Sequence, residues 1–155
     1  MHWQESSRII AALETTFKRI LASRMRGLPL LNPALTVQAV GFEGFNGDWL
    51  GILITPWFMN LLLLPGQDSA WAESQPGGKF EMPFPYGVFE FTLAGEADLG
   101  VYAQCSLFSP MFQFTCQDDA LAAARAALQG LLAEPAPRSL SRRDLLRGSL
   151  GKGIS

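Results

Sequence analysis

Residues 49–64 read WLGILITPWFMNLLLL. The run splits at Thr55-Pro56, because proline has no N–H to give to a strand ladder. Before the break, 49–54 (WLGILI) has the content of a strand. After it, 57–64 (WFMNLLLL) is apolar at every position but Asn60. A strand apolar on both faces is covered on both faces, so 57–64 is the expected centre of a sheet. The surrounding run 51–66 does not read as a membrane span. It falls short of the roughly 20 apolar residues required, and Pro56, Asn60 and Pro65 interrupt it.

Further strands follow on either side. Residues 36–42 (TVQAVGF) form a strand that ends in a turn at Gly44, Asn46, Gly47 and Asp48, where Gly and Asn tolerate positive φ. Residues 88–94 (VFEFTLA) alternate, with Phe89, Phe91 and Leu93 on one side and Glu90 and Thr92 on the other; 99–108 (LGVYAQCSLF) is another strand. Between them, 65–87 is rich in Gly, Pro, Gln and Ser and reads as a long connection. Residues 7–26 have an amphipathic helical pattern, with Ile9, Ile10, Leu13, Phe17, Ile20 and Leu21 along one face. Ser6 or Ser7 suits its cap, Gly27 its left-handed end, and Pro29 prevents continuation. Asp118 or Asp119 suits the cap of a second, Ala- and Leu-rich helix over 119–132. A helix, about five mainly antiparallel strands and a helix make an α+β fold, expected as one domain over 1–134. Residues 135–155 read as a flexible basic tail with five Lys+Arg against one acid, leaving seven against thirteen in the body.

Composition narrows the function. Hydrophobic residues are 48% and charged residues 17% of the 155, against about 25% charged in an average globular chain. That supports a packed core. A net charge of −2 is not that of a nucleic-acid-binding domain, which is basic. The single histidine, His2, lies near the N-terminus, and Cys105 and Cys116 lack CxxC spacing. A catalytic triad, a Cys-His dyad, a zinc site and an iron–sulfur site therefore lack their residues, and no metal or cofactor is expected. Met1 to Arg8 is polar, so no secretory signal is expected there; the expected location is cytoplasmic, without membrane insertion. Gly41, Gly44, Gly47 and Gly51 do not follow the dinucleotide order, and Phe80 after Gly77-Gly78-Lys79 replaces the hydroxyl of a phosphate loop.

Two apolar clusters are unusual. One is Trp57, Phe58 and Met59 with Asn60; the other is Phe108, Met111, Phe112 and Phe114 around Pro110. Trp, Phe and Met serve both cores and adaptable protein-binding surfaces, so each cluster is either core or partner groove. The tail carries Ser141-Arg142-Arg143-Asp144-Leu145-Leu146-Arg147, close to the S-R-R-x-F-L-K pattern of twin-arginine export signals. No apolar stretch follows it, so it is not an export signal here. It is either a coincidence or an imitation of a ligand.

Several segments together resemble the HybE/HupJ family of nickel–iron hydrogenase assembly chaperones. They are Arg24-Met25 with LPLLNP at 28–33, Val37 to Phe42, LITPWFMNL through Pro65, CSLFSPMF at 105–112, and Ser141-Arg142-Arg143. The resemblance implies a maturation factor and not an enzyme. Its implied client is the hydrogenase small-subunit precursor, whose twin-arginine signal is held back from export until cluster loading and assembly are complete. The large subunit and other maturation factors are further implied partners. Some relatives carry a fused rubredoxin, for which this chain lacks the CxxC pairs. On this reading Trp57, Phe58, Met59, Asn60, Phe108, Met111 and Phe112 contact the client. Glu90, Glu96 and Asp98 would meet its arginines, and Ser141, Arg142, Arg143, Leu145, Leu146 and Arg147 would compete with it as a mimic. The alternatives are a scaffold that binds folded subunits whatever their signal, a homodimer in which the apolar clusters meet each other, and an enzyme whose base is a carboxylate, lysine or thiol.

Overall fold

The apolar run at the centre of the sequence is also the centre of the fold. In the computed structural model, which describes residues 1–133, β2 (Asp48–Ile54) and β3 (Met59–Leu64) pair antiparallel from Trp49–Leu64 to Ile54–Met59. The intervening Thr55-Pro56-Trp57-Phe58 is a tight turn. The Thr55 hydroxyl accepts from the N–H of Trp57 (3.2 Å) and of Phe58 (2.9 Å), and Thr55 N–H donates to Phe58 O. Pro56 therefore sits in a hairpin turn, where its missing donor costs no ladder bond. Strand β3 begins two residues later than expected, because Trp57 and Phe58 belong to the turn.

Strand β1 (Gln38–Phe45) joins β2 through Asn46-Gly47, whose φ values of 51° and 81° make the primed turn that matches strand twist. Strand β5 (Val88–Glu96) and strand β6 (Gly100–Phe108) form a further hairpin, and β6 pairs with β3. The sheet has six strands in the order β1-β2-β3-β6-β5-β4, all antiparallel. The sixth is β4 (Lys79–Pro83), inside the stretch expected to be a connection. Only five residues long and set among Gly and Pro, it carries a weak local signal. Phe80 and Met82 nevertheless point inward, and the Phe80 ring lies 6.0 Å from Phe91 and 5.9 Å from Trp71. Trp71 belongs to a short 3₁₀ turn at Ala70–Glu73.

The helices lie on opposite faces of the sheet. Helix α1 (Ser6–Ala22) buries Ile9, Leu13, Phe17 and Ile20 against Phe42, Leu53, Leu62, Leu64 and Tyr102. Helix α2 (Gln117–Leu132) buries Ala120, Ala124, Ala127 and Leu131 against the layer of Ile52, Met59, Leu61, Leu63 and Phe91. Helix α1 stops earlier than expected: Ser23 Oγ donates to Arg19 O at 2.7 Å, and turns lead on to Gly27, at φ 73°. The expected caps also shift. Glu5 and Cys116 occupy the N-cap positions without side-chain capping bonds, and Asp118 and Asp119 lie in the first turn of α2, where they complement the helix dipole. The tail expected over 135–155, with Ser141, Arg142, Arg143, Leu145, Leu146 and Arg147 expected to act as a mimic, lies outside the described residues.

Candidate functional site

The β2–β3 turn places Trp57 and Phe58, both half-buried, on the α1 face of the sheet. Their rings lie 6.4 and 5.9 Å from Phe17 and 5.4 Å from each other. Each keeps an edge in solvent. The next two residues do not. Met59 is fully buried on the α2 face, and Asn60, 6% exposed, donates from Nδ2 to Gln104 Oε1 at 3.2 Å. Met59 and Asn60 are thus core residues, which corrects their reading as contact residues. Both lie in a strand with a neighbour on either side.

The second cluster lies across the sheet. A bulge opposes Met59 to Phe108 and Asn60 to Ser106, leaving Leu107 extra and turning Phe108 toward the α2 layer. There Phe108 packs edge-on against Phe114 at 5.1 Å, and Phe112 is 55% exposed. Met111, expected to line a groove, is fully buried. Asn32 holds this loop: Nδ2 donates to Met111 O at 2.9 Å and to Phe114 O at 2.8 Å, while Oδ1 accepts from Ala34 N–H at 3.0 Å. Sequence reading noted Asn32 only as part of LPLLNP. Trp57 and Phe58 therefore pack on the opposite face of the sheet from Phe108.

The expected acidic patch is partly occupied by the chain itself. Glu96 pairs with Arg24 at 2.7 Å and Asp98 with Arg19 at 2.6 Å. Exposed pairs of this kind contribute about 0–1 kcal/mol, so they leave little unbalanced charge yet exchange readily. Glu90 has no ion pair among the described residues; it is exposed and directly opposite Glu81 on β4.

Beside these pairs the Tyr102 hydroxyl is raised well above the usual tyrosine range, first by burial, then by Glu96, with Arg24 opposing. The unfolded chain ionises this group near pH ~10 while the folded chain keeps it neutral. Its contribution to stability is therefore complete below that pH and falls as pH rises further. Denaturant titrations between pH 8 and 11 should show a shallower alkaline loss in Tyr102→Phe than in the parent; equal slopes would refute the assignment.

A further surface lies beside helix α2. Helix α2 carries a second stripe, Leu121, Arg125, Leu128 and Leu132, beside its buried one. The spacings of four, three and four place these residues on one face. They border an open groove of about 450 Å³ whose other wall is β1, with Gln38, Ala39, Gly41, Glu43, Gly44 and Phe45. A bulge between Val40 and Glu43 shapes that wall, and Gly41, at φ 69°, lies so close to α2 that a Cβ would come within 2.7 Å of Leu128 Cδ1. The β1 edge is closed upstream, where Glu14 accepts from Ala39 N–H (3.0 Å) and Gln117 from Thr36 N–H (2.8 Å). Downstream it forms the groove. The charged lining residues are Glu43 and Arg125, and neither has an ion pair among the described residues. Leu132, 42% exposed, closes the far end.

Among the described residues no group of three or more His, Cys, Asp or Glu is placed to hold a metal ion, and no helix is long and apolar enough to cross a membrane.

The chain is similar to known proteins in sequence and in overall fold. The family model described as NiFe-hydrogenase assembly, chaperone, HybE matches residues 8–148. The hydrogenase expression/formation protein HupJ of Bradyrhizobium diazoefficiens is 44% identical over 149 residues, covering 89% of this chain and 86% of that protein. Protein HoxT of Cupriavidus necator is 45% identical over 135 residues, covering 79% of this chain and 75% of HoxT. The solution structure of HybE from Escherichia coli has a TM-score of 0.70 at 26% identity, over 92% of this chain and 85% of that one. The family consists of assembly chaperones and not of catalysts. With a six-stranded sheet between two helices and a family match over residues 8–148, this chain belongs to the HybE family of NiFe-hydrogenase assembly chaperones.

Proposed function

We propose that the chain is a cytoplasmic chaperone that binds the hydrogenase small-subunit precursor through its twin-arginine signal and holds back export until assembly is complete. The observation that carries this reading is the open groove between α2 and β1. A signal peptide presents an apolar helix, and a groove walled by Leu121, Leu128, Leu132 and Phe45 accepts one. The excess of acids in the body, thirteen against seven bases, attracts the arginines that precede that helix. Glu90 is the acid of the expected set that has no ion pair among the described residues, and Trp57, Phe58, Phe108 and Phe112 are the aromatic edges open to the rest of the client.

Calorimetric titration of a small-subunit signal peptide into the full chain tests this reading. Binding at micromolar concentration, weakened at least ten-fold by Leu128→Glu, is the expected result. If the peptide does not bind while the signal-less small subunit or the large subunit does, the chain is a scaffold for folded subunits and the signal reading fails.

A further inference from the structure

We propose that the α2–β1 groove is a docking site for the chain's own segment Asp144-Leu145-Leu146-Arg147, held there until a client displaces it. Three observations carry the proposal.

The groove has an apolar floor between one base and one acid that have no ion pair among the described residues, Arg125 on α2 and Glu43 on β1. The segment has the complementary order: an acid, two leucines and a base. Asp144 is the one acid between 135 and 155, so it is the one residue there that can answer Arg125. Arg147, or Arg142-Arg143 on the other side, answers Glu43. Paired in a partly dehydrated groove, such charges gain more than they would at an open surface.

The chain leaves the fold at the groove. Leu132 is both the last residue of α2 and part of the groove lining. From Ala133 to Asp144 the chain spans eleven residues, a reach of up to ~36 Å. Arg125 lies eight residues back along the helix, about 12 Å away. The tether therefore reaches with slack and keeps the segment at an effective concentration of roughly millimolar, which is enough to fill a weak site.

The family match runs on to residue 148, past the end of α2 and through this segment.

The docking itself requires nothing of the client. Its regulatory meaning, that a signal with paired arginines and an apolar stretch displaces the segment, rests on the function proposed above.

Amide hydrogen exchange on the full-length chain tests the docking. Amides of 144–147 are expected to exchange at least ten-fold more slowly than an unstructured peptide of the same sequence. Arg125→Glu and Leu132→Gln should each abolish that protection, and Arg125→Asp combined with Asp144→Arg should restore it. Amides of Leu61 to Leu63 report whether each variant remains folded. Exchange at the unstructured rate in the parent chain overturns the proposal, as does protection indifferent to Arg125→Glu. Protection that vanishes on dilution places the segment in the groove of a second copy and overturns the intramolecular form. A freely exchanging segment in a chain that still binds the signal peptide overturns the docking and leaves the chaperone reading standing. A protected segment in a chain that binds no signal does the reverse.

Discussion

Replacing Asn32 by Ala is expected to destabilise the domain by about 3 kcal/mol, since burying an unpaired polar group costs roughly 1–3 kcal/mol. Asn32 is 6% exposed, and its amide meets three backbone groups: the carbonyls of Met111 and Phe114 and the N–H of Ala34. Alanine supplies neither the donors nor the acceptor. For a domain of this size the loss corresponds to a fall of roughly 6–12 °C in Tm. Asn32→Asp is expected to fare no better. A carboxylate accepts from Ala34 but turns lone pairs toward two carbonyls that need a donor. The variant should also free the loop that carries Phe112, seen as faster amide exchange over 109–116. A Tm within 2 °C of the parent in Asn32→Ala would show that the loop holds without this amide.

Gly66→Ala is the second large effect, expected to cost about 3 kcal/mol or more, at the upper end for overpacking. A Cβ at Gly66 would lie 1.8 Å from Gly47 O, a backbone atom that no rotamer change can move. The same two segments are clamped together on other atoms. Asp48 Oδ1 accepts from Gly66 N–H at 3.0 Å, Asp48 Oδ2 from Trp71 Nε1 at 3.0 Å, and His2 Nδ1 meets Gly66 O at 2.7 Å. The substituted loop must pull away from the β1–β2 turn and break these bonds. Gly44→Ala is the control: that Cβ meets nothing within 4 Å and its φ is not positive. Chemical denaturation of both variants distinguishes the cases, and similar midpoints would refute the close-approach argument.

Much of the architecture was legible in local patterns. Ile9, Leu13, Phe17 and Ile20 recur at helical spacing, and all four are buried on one face of α1. Phe89, Phe91 and Leu93 alternate with Glu90 and Thr92, and only the first set is buried. The run of β3, apolar at every position but Asn60, marked a central strand, and all six of its residues are buried. Strand β4 escaped notice because five residues between glycines and prolines offer too short an alternation; its register comes from β5. The second stripe of α2 is present in the sequence as Leu121, Arg125, Leu128 and Leu132, but Ala and Leu all around the helix leave no polar face to set it apart.

The sequence by itself determined both helices, five of the described strands, the antiparallel class and the family resemblance. Each of these follows from residue identity or from periodicity over a few neighbours, and such patterns survive without knowledge of the remote chain. Tertiary structure alone decided which aromatic residues face solvent. Met59 and Phe58 are adjacent in the chain yet belong to opposite faces, because a turn ends and a strand begins between them. It also decided that Glu96 and Asp98 meet the chain's own Arg24 and Arg19, partners more than seventy residues away. The groove is likewise a product of the fold, one wall coming from β1 and the other from α2. Contacts between remote segments depend on how the chain closes on itself, and closure is set by the packing of the whole core rather than by any local window.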